Sequence, residues 1–176
     1  VAMIAAVTIL LLGPSRAQST RREKSRPALS VLVDTSESMR TEDDAGVSRL
    51  EAARRAWLSP ERLTAMTQDF ALELNQFDDA VRPLPRERLA GPMTELANGR
   101  FTYLMDAVND RLSRIATGQQ GAALLLLSDG RDTNDSAPQA AAALARARDL
   151  PIYSVLVGRD SFVSDVAVLG VPMQDY

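Results

Sequence analysis

The chain has 176 residues, of which 45% are hydrophobic and 24% are charged, and its formal net charge is −3. That length supports one ordinary domain with a sizeable core, and that composition excludes wholesale disorder. The complete absence of histidine and cysteine excludes Ser-His-Asp and Cys-His nucleophiles, Cys/His zinc sites, haem attachment through CxxCH and disulfide bonds. Any chemistry in this protein must therefore use carboxylates, hydroxyls, amides or arginines.

The basic residues are unevenly distributed. Residues 14–26 contain five basic residues and one acidic residue, a net charge of +4, so the remainder of the chain carries −7. Among the basic residues only Lys24 is a lysine, which leaves the expected folded domain without a P-loop or Schiff-base lysine. An acidic domain beside a short basic segment is not typical of nucleic-acid binders, because no basic face extends over the domain. We therefore expect no nucleic acid among the partners.

The chain opens with an apolar segment, residues 1–13, and continues with a basic linker, residues 14–27. Thirteen residues are fewer than the roughly 20 that span a bilayer as a helix. We favour the last part of a transmembrane helix, because basic residues commonly flank such helices, and so expect a membrane-anchored protein. The basic flank alone would place the domain in the cytoplasm, but the side of the membrane stays open. The alternatives are a signal peptide cleaved near Ser15, Arg16 and Ala17, or a buried core helix.

From residue 28 onward the hydrophobic periodicity alternates between that of a strand and that of a helix. In chain order it predicts a strand at 28–33, a helix at 48–58, a hairpin of strands at 70–77 and 80–85, a helix at 102–118, a strand at 122–127, a helix at 136–150 and a strand at 151–157. Three of these strands, the first and the last two, are apolar runs, which predicts burial on both faces. The order predicts an α/β fold with a mostly parallel sheet and one antiparallel edge strand.

Individual residues within these elements allow sharper predictions. Glu51 is spaced to pair with Arg54 or Arg55 along the first helix. Pro83 cannot donate a hydrogen bond, which confines the second hairpin strand to the edge of the sheet. The predicted helix caps are Ser48 at the start of the first helix, Gly118 at the end of the second, and Ser136 or Asp135 at the start of the third.

Small oxygen-bearing side chains occur where the predicted strands and the second helix meet. Asp34, Ser36 and Ser38 stand at alternate positions after the first strand, Asp129 follows the central strand, and Thr102 begins the helix after a long loop. Ligands of open α/β sheets bind beyond the carboxyl ends of the strands, so we expect these side chains on one rim. An all-oxygen set suits a hard cation such as Mg²⁺. With few charged ligands, the ion would keep a position open for an outside carboxylate.

Three segments resemble the three parts of the metal-ion-dependent adhesion site of von Willebrand factor type A domains. They are DTSES at 34–38, Thr102 in FTYLMDAV and Asp129 in LLLLSDGRD. Their order and spacing agree with the family from about residue 28 to residue 157. The resemblance implies a Rossmann-like sheet with helices on both faces, in a domain at 28–160. One position departs from the family, because many members have two glycines before the threonine and here Arg100 and Phe101 stand there.

The resemblance also implies how the site works. Ser36, Ser38 and Thr102 would bind the ion through their hydroxyls, while Asp34 and Asp129 would bind it directly or through water. By the habit of the family, the bound Mg²⁺ or Mn²⁺ grips an Asp or Glu of a partner protein. We therefore expect a protein-binding module and not an enzyme.

The order of segments resembles that of bacterial membrane-anchored members of the family. In those proteins an apolar segment and a basic linker precede the domain, and further domains or another membrane helix commonly follow. Residues 161–176 are therefore expected to begin a further segment or domain. Other domains of the same chain are expected as partners in addition to a separate protein ligand.

The sequence leaves two alternative functions open. A metal-dependent phosphohydrolase of the haloacid-dehalogenase type would use Asp34 as nucleophile or ligand. Such an enzyme requires a second aspartate where Ser36 stands and a lysine near the phosphate, and the domain has no lysine. The other alternative is a degenerate scaffold domain that binds no metal. Metal titration separates the scaffold from the binding module.

Four acidic residues near the predicted site are expected to have other roles. Asp132 is expected to cap a helix or form a turn. Glu42, Asp43 and Asp44 are expected to form a solvated loop. Because this loop borders the site, it would repel acidic ligands or hold a second ion.

Overall fold

The computed structural model of the protein describes residues 26–44, 46–116, 120–134 and 136–158. The apolar segment, nearly all of the basic linker and residues 161–176 lie outside the described residues, as do the predicted caps Gly118 and Asp135. Within the described ranges no helix is both long and apolar enough to cross a membrane.

The described residues form a five-stranded sheet and a small hairpin, with α-helices between the strands. The strands are β1 (Ala28–Asp34), β2 (Glu42–Asp44), β3 (Val47–Ser48), β4 (Ala71–Phe77), β5 (Val81–Pro83), β6 (Ala123–Ser128) and β7 (Ile152–Leu156). The helices are α1 (Arg49–Trp57), α2 (Pro60–Asp69), α3 (Leu104–Arg114) and α4 (Pro138–Ala147), with short 3-10 helices at Glu37–Arg40, Arg86–Ala90 and Met93–Glu95.

The sheet has the order β5-β4-β1-β6-β7, and β2 pairs with β3 alone among the described strands. Strands β4, β1, β6 and β7 are parallel, while β5 is antiparallel to β4. Pro83 lies in the outermost strand, as predicted, where it removes no hydrogen bond from the interior of the sheet. The prediction of a Rossmann-like, mostly parallel sheet with one antiparallel edge strand is therefore confirmed.

Alternation along β1 divides the core between the two faces of the sheet. Leu29, Val31 and Val33 pack on one face in a cluster with residues of α1 and α2. Leu32 points to the other face and packs with residues of α3 and α4. Side chains of successive strand residues point to opposite faces, so a strand with apolar residues on both faces must be covered on both. The helices cover both faces, as predicted, and leave the carboxyl ends of the strands for polar residues.

Two predictions about strands need correction. Strand β7 was expected to be buried, but it is an edge strand whose Tyr153 and Leu156 are 60% and 65% exposed. It pairs with β6 alone among the described strands, so part of its apolar pattern is left uncovered. The solvated loop expected at Glu42, Asp43 and Asp44 is instead strand β2 of the small hairpin.

The helix predictions also need correction at three places. Helix α2 was not predicted, although Ser59 accepts a hydrogen bond from the Arg62 amide and Pro60 occupies the first turn, which are ordinary start signals. Helix α3 begins at Leu104, two residues after the predicted Thr102, and ends at Arg114. The N-cap residue of helix α4 is Ala137, which has no side-chain oxygen to accept a bond, and the hydroxyl of the predicted cap Ser136 donates to Asp106 instead.

Candidate metal centre

Asp34 is the last residue of β1 and is fully buried. Its Oδ1 accepts a hydrogen bond from the Ser36 amide at 2.9 Å, and its Oδ2 accepts one from the Ser128 hydroxyl at 2.6 Å. Within the described residues no arginine forms a salt bridge with this carboxylate. Burial raises the pKa of Asp34 above its ordinary value, and the negative charge of Asp129 raises it further, while the bonds from Ser128 and Ser36 oppose the rise.

The two serines after β1 lie together, as predicted, but for a different reason. Their hydroxyl oxygens are 3.1 Å apart. We expected an extended segment to direct both side chains the same way. Instead Ser36 is the extended residue before a 3-10 helix, and Ser38 lies inside that helix. The tight turn therefore brings the two hydroxyls together.

Asp129 follows β6 directly and is also buried. Its Oδ1 accepts a hydrogen bond from the Arg131 amide at 3.2 Å, and its Oδ2 accepts one from Nη1 of Arg49 at 2.9 Å. Because β1 and β6 are parallel neighbours, their carboxyl ends lie side by side. Asp34 and Asp129 consequently lie at the same rim of the sheet, and the negative charge of Asp129 acts on the carboxylate of Asp34.

Thr102 is buried between the loops that carry the two aspartates. Its amide donates to Oγ1 of Thr133 at 2.8 Å, and its carbonyl accepts from the Thr133 amide at 2.8 Å. These bonds join Thr102 to the loop after Asp129 and do not use its hydroxyl. Phe101 is 51% exposed, so the departure from the two-glycine pattern directs a large side chain outward and leaves the burial of Thr102 intact.

Gly99 joins the Thr102 segment to the loop after β1. Its carbonyl accepts from the Glu37 amide at 2.7 Å, and its amide donates to the Thr35 carbonyl at 3.2 Å. A Cβ at this position would lie 2.3 Å from Cβ of Asp78, so no larger residue fits without a backbone shift. The two backbone hydrogen bonds of Gly99 fix where the Thr102 segment lies relative to β1.

The structure shows two residues of this region that the sequence analysis did not identify. Ser128 donates to Asp34, and Arg49 donates to Asp129. Ser128 could have been identified from the sequence, because it stands between the apolar residues of β6 and Asp129. Arg49 could also have been identified, because it stands in the first turn of a helix, where acidic residues are favoured.

Asp43 and Asp132 both accept hydrogen bonds from neighbouring residues. Asp43 was predicted to be solvated, but its carboxylate accepts from Nε and Nη2 of Arg49 at 2.7 and 2.8 Å. Oδ1 of Asp132 accepts from the amide of Leu104, the first residue of α3, at 3.3 Å and from the Asn134 amide at 3.0 Å. The prediction that Asp132 is a capping or turn aspartate is confirmed.

The donor set can be compared with what a hard cation requires. Asp34 and Asp129 supply carboxylate oxygens, and Ser36, Ser38 and Thr102 supply hydroxyl oxygens. Such ligands suit Mg²⁺ or Mn²⁺. In the described part of the chain no three carboxylates are grouped to hold a metal, and the predicted set, which has only two, does not require such a group.

The fold was compared with those of solved structures. The chain is similar to an aerotolerance-related membrane protein from Bacteroides fragilis NCTC 9343, solved with multiple mutations to serines, at a TM-score of 0.58 and 21% sequence identity over 79% of this chain and 75% of that chain. It is also similar to proximal thread matrix protein 1 of the mussel byssus, at a TM-score of 0.49 and 14% identity over 74% of this chain and 37% of that chain. No protein-family model and no curated protein matches the sequence.

The first of these comparisons supports the fold, and the function has to be argued from the site. The likeness to the Bacteroides fragilis protein, together with the observed strand order, supports an α/β fold with a mostly parallel central sheet. At 21% identity the likeness extends to the fold alone. What the protein binds must therefore be argued from its own residues.

Proposed function

We propose that the protein is a membrane-tethered, non-enzymatic module that binds a divalent cation and uses it to hold a carboxylate of a partner protein. The ion would be Mg²⁺ or Mn²⁺, and its ligands would be Asp34, Ser36, Ser38, Thr102 and Asp129. The observation that carries the proposal is the Asp34 carboxylate, which is fully buried beside a second carboxylate and has no salt bridge to a described residue.

Burying such a carboxylate opposes folding unless something compensates for its charge. Hydrogen bonds from Ser128 and Ser36 offset part of the loss of hydration, but Asp129 adds repulsion. A divalent cation between the two carboxylates would remove the repulsion and compensate both charges. The three hydroxyl ligands are neutral, so the ion would keep part of its positive charge for an outside Asp or Glu.

The membrane tether rests on the sequence and on one comparison. Residues 1–13 are apolar and a basic linker follows them. The Bacteroides fragilis protein with a similar fold is described as a membrane protein. We extend this description to the present chain as part of the proposal, together with the expectation that other domains of the same chain take part in binding.

The proposal is tested by thermal unfolding of the purified full-length protein in EDTA and in about 10 mM Mg²⁺. For a dissociation constant near 0.1 mM, binding to the folded state alone stabilises it by roughly 2.7 kcal/mol. For a protein of this size the melting temperature would rise by roughly 5 to 10 °C. Asp34→Asn should abolish this rise, because the amide retains the shape of the side chain but not its charge.

Two features make the Asp34→Asn experiment specific. In EDTA this variant should be at least as stable as the wild type, because it removes a buried charge whose pKa is raised by burial. Asp69→Asn is the matched control, since Asp69 is exposed at the end of α2, next to the start of β4 and so at the opposite end of the sheet. The absence of a rise in the wild type would leave a scaffold that binds no metal.

The carboxylate-binding step is tested with Mn²⁺, which is paramagnetic. If bound Mn²⁺ keeps a water molecule, Mn²⁺ should raise the relaxation rate of water protons more when it is bound to the protein than when it is free. Acetate should lower this enhancement by displacing the water, whereas acetamide should not. A Mn²⁺ complex that does not respond to acetate would contradict the role in holding an acidic residue and leave metal binding intact.

A further inference from the structure

Arg49 makes the most extensive set of ionic contacts near the proposed metal site. Its guanidinium donates from Nη1 to Oδ2 of Asp129 at 2.9 Å, and from Nε and Nη2 to the two oxygens of Asp43 at 2.7 and 2.8 Å. Its side chain is only 8% exposed. One buried cation therefore joins a proposed metal ligand to strand β2.

The chain after β7 encloses this arrangement. Gly158 has a φ of +120°, and a Cβ at this position would lie 2.8 Å from Nε of Arg49 and 2.9 Å from Oδ2 of Asp43. The backbone thus passes so close to the ion pair that a side chain would collide with it. Asp43 of β2 and Asp129 after β6 bind the guanidinium, and the backbone after β7 closes off one side of it.

We propose that Arg49 is a tethered competitor of the divalent cation for Asp129, and that Asp43 sets how strongly it competes. This inference rests on the proposed metal site. A cation bound to Asp129 must share that carboxylate with a guanidinium that cannot leave the protein. The affinity for the ion would then be set by a residue outside the ligand set.

Electrostatics gives the direction of each effect. The guanidinium remains charged at any ordinary pH, and it is nearly buried, so its repulsion of a divalent ion is poorly screened. The carboxylate of Asp43 partly neutralises Arg49 and holds two of its nitrogens. Removing the charge of Arg49 should therefore tighten metal binding, and removing the charge of Asp43 should weaken it.

The chain supplies a matched control for each substitution. Nε of Arg131 lies 3.9 Å from the same Oδ2 of Asp129, but this side chain is 61% exposed. Glu42 is exposed and adjoins Asp43 in β2. Arg131→Gln and Glu42→Gln thus change the net charge as Arg49→Gln and Asp43→Asn do, without altering the contacts of the Arg49 guanidinium.

The experiment measures the dissociation constant for Mg²⁺ by calorimetry on the full-length protein and the four variants. Arg49→Gln should bind about tenfold more tightly than the wild type or better, which corresponds to about 1.4 kcal/mol. Asp43→Asn should bind several-fold more weakly. Each control should shift the constant by less than half as much on a logarithmic scale. If Arg49→Gln does not fold, the inference is tested by comparing the Mg²⁺ affinity of Asp43→Asn with that of its control, Glu42→Gln.

The outcomes separate this inference from the proposed function. If the wild type binds Mg²⁺ and Arg49→Gln binds equally or more weakly, the inference is overturned and the metal site stands. If either control matches its partner variant, general charge explains the effect and the inference is also overturned. If Mg²⁺ binds only after Arg49→Gln, the competitor is supported and the proposed function fails. Binding to neither protein overturns both.

Discussion

Helix α1 carries two groups of ion pairs that differ in how far apart the paired residues are in the sequence. Arg49, its first residue, binds Asp43 and Asp129, the second of which lies 80 positions away in the sequence. Two residues later Glu51 accepts from Arg54 at 2.8 Å and from Arg55 at 2.7 Å, three and four residues away. The first group is buried between elements, and the second lies along one helix.

The two groups of ion pairs in helix α1 have different structural roles. The Glu51 group stabilises the helix that contains it, and the exposed side chain of Arg55 is held there weakly. The Arg49 group joins α1 to β2 and to the end of β6 in an environment with little water. Its removal would leave buried carboxylates without their partner, so its integrity should matter much more for the free energy of unfolding.

The largest expected effect is that of Arg49→Gln. In EDTA this change should lower the free energy of unfolding by about 3 kcal/mol, because Asp129 keeps its charge and loses its buried cation. Arg55→Gln, on the same helix, should cost about 0.5 kcal/mol or less. Urea unfolding of both variants measures the contrast. Equal costs would mean that burial does not distinguish the two groups.

A smaller effect is expected from Gly158→Ala. The new methyl group would collide with the Asp43–Arg49 pair, and the φ of +120° is unfavourable for alanine, so we expect a loss of about 1 to 3 kcal/mol. Gly91→Ala is the control, because its Cβ would meet nothing closer than 3.9 Å. Urea unfolding compares the two. A neutral Gly158→Ala would show that the backbone after β7 does not confine the pair.

The Glu51 group should be visible in the dependence of stability on pH. The hydrogen bond from Arg54 is the main cause that lowers the pKa of Glu51 from 4.5 to about 2, Arg55 adds to it, and burial opposes it. The folded state therefore binds this proton less readily than the unfolded state. The stabilisation is complete above about pH 4.5 and is lost as the pH falls towards 2.

Glu51→Gln should remove this contribution, which we expect to be about 1 to 2 kcal/mol at pH 7. The difference between wild type and variant should shrink as the pH falls from about 4.5 to 2. Glu87→Gln, an exposed glutamate in a 3-10 helix, should leave the profile unchanged. Urea unfolding across this pH range gives the answer, and a difference that is constant with pH would contradict the assignment.

The same contrast explains how much of the molecule could be predicted from its sequence. Pairs three or four residues apart on a helix follow from its geometry, so Glu51 with Arg54 and Arg55 was predictable, as was the Ser48 cap, which accepts from the Glu51 amide. The contact between Arg49 and Asp129 depends on how α1 packs over the end of β6, which no local pattern specifies.

The proposed site shows the same division between local and distant information. The order of elements predicted that Asp34 and Asp129 lie on one rim of the sheet, and in the structure they stand at the carboxyl ends of the parallel neighbours β1 and β6. The exposure of β7 at the edge of the sheet was not predictable, because an apolar run does not reveal how many strands adjoin it. Whether the five oxygen ligands bind an ion remains a prediction for the metal titration.

The central position of β1 has a consequence for the time course of folding. Its neighbours β4 and β6 come from much later in the chain, and the hydroxyl that Asp34 accepts from belongs to a residue 94 positions away. Structures dominated by such distant contacts fold slowly, since long loops must close before they are stabilised. During synthesis β1 can pair with β4 first, and its other edge must wait for β6, so this strand stays unpaired on one side until Ser128 has left the ribosome.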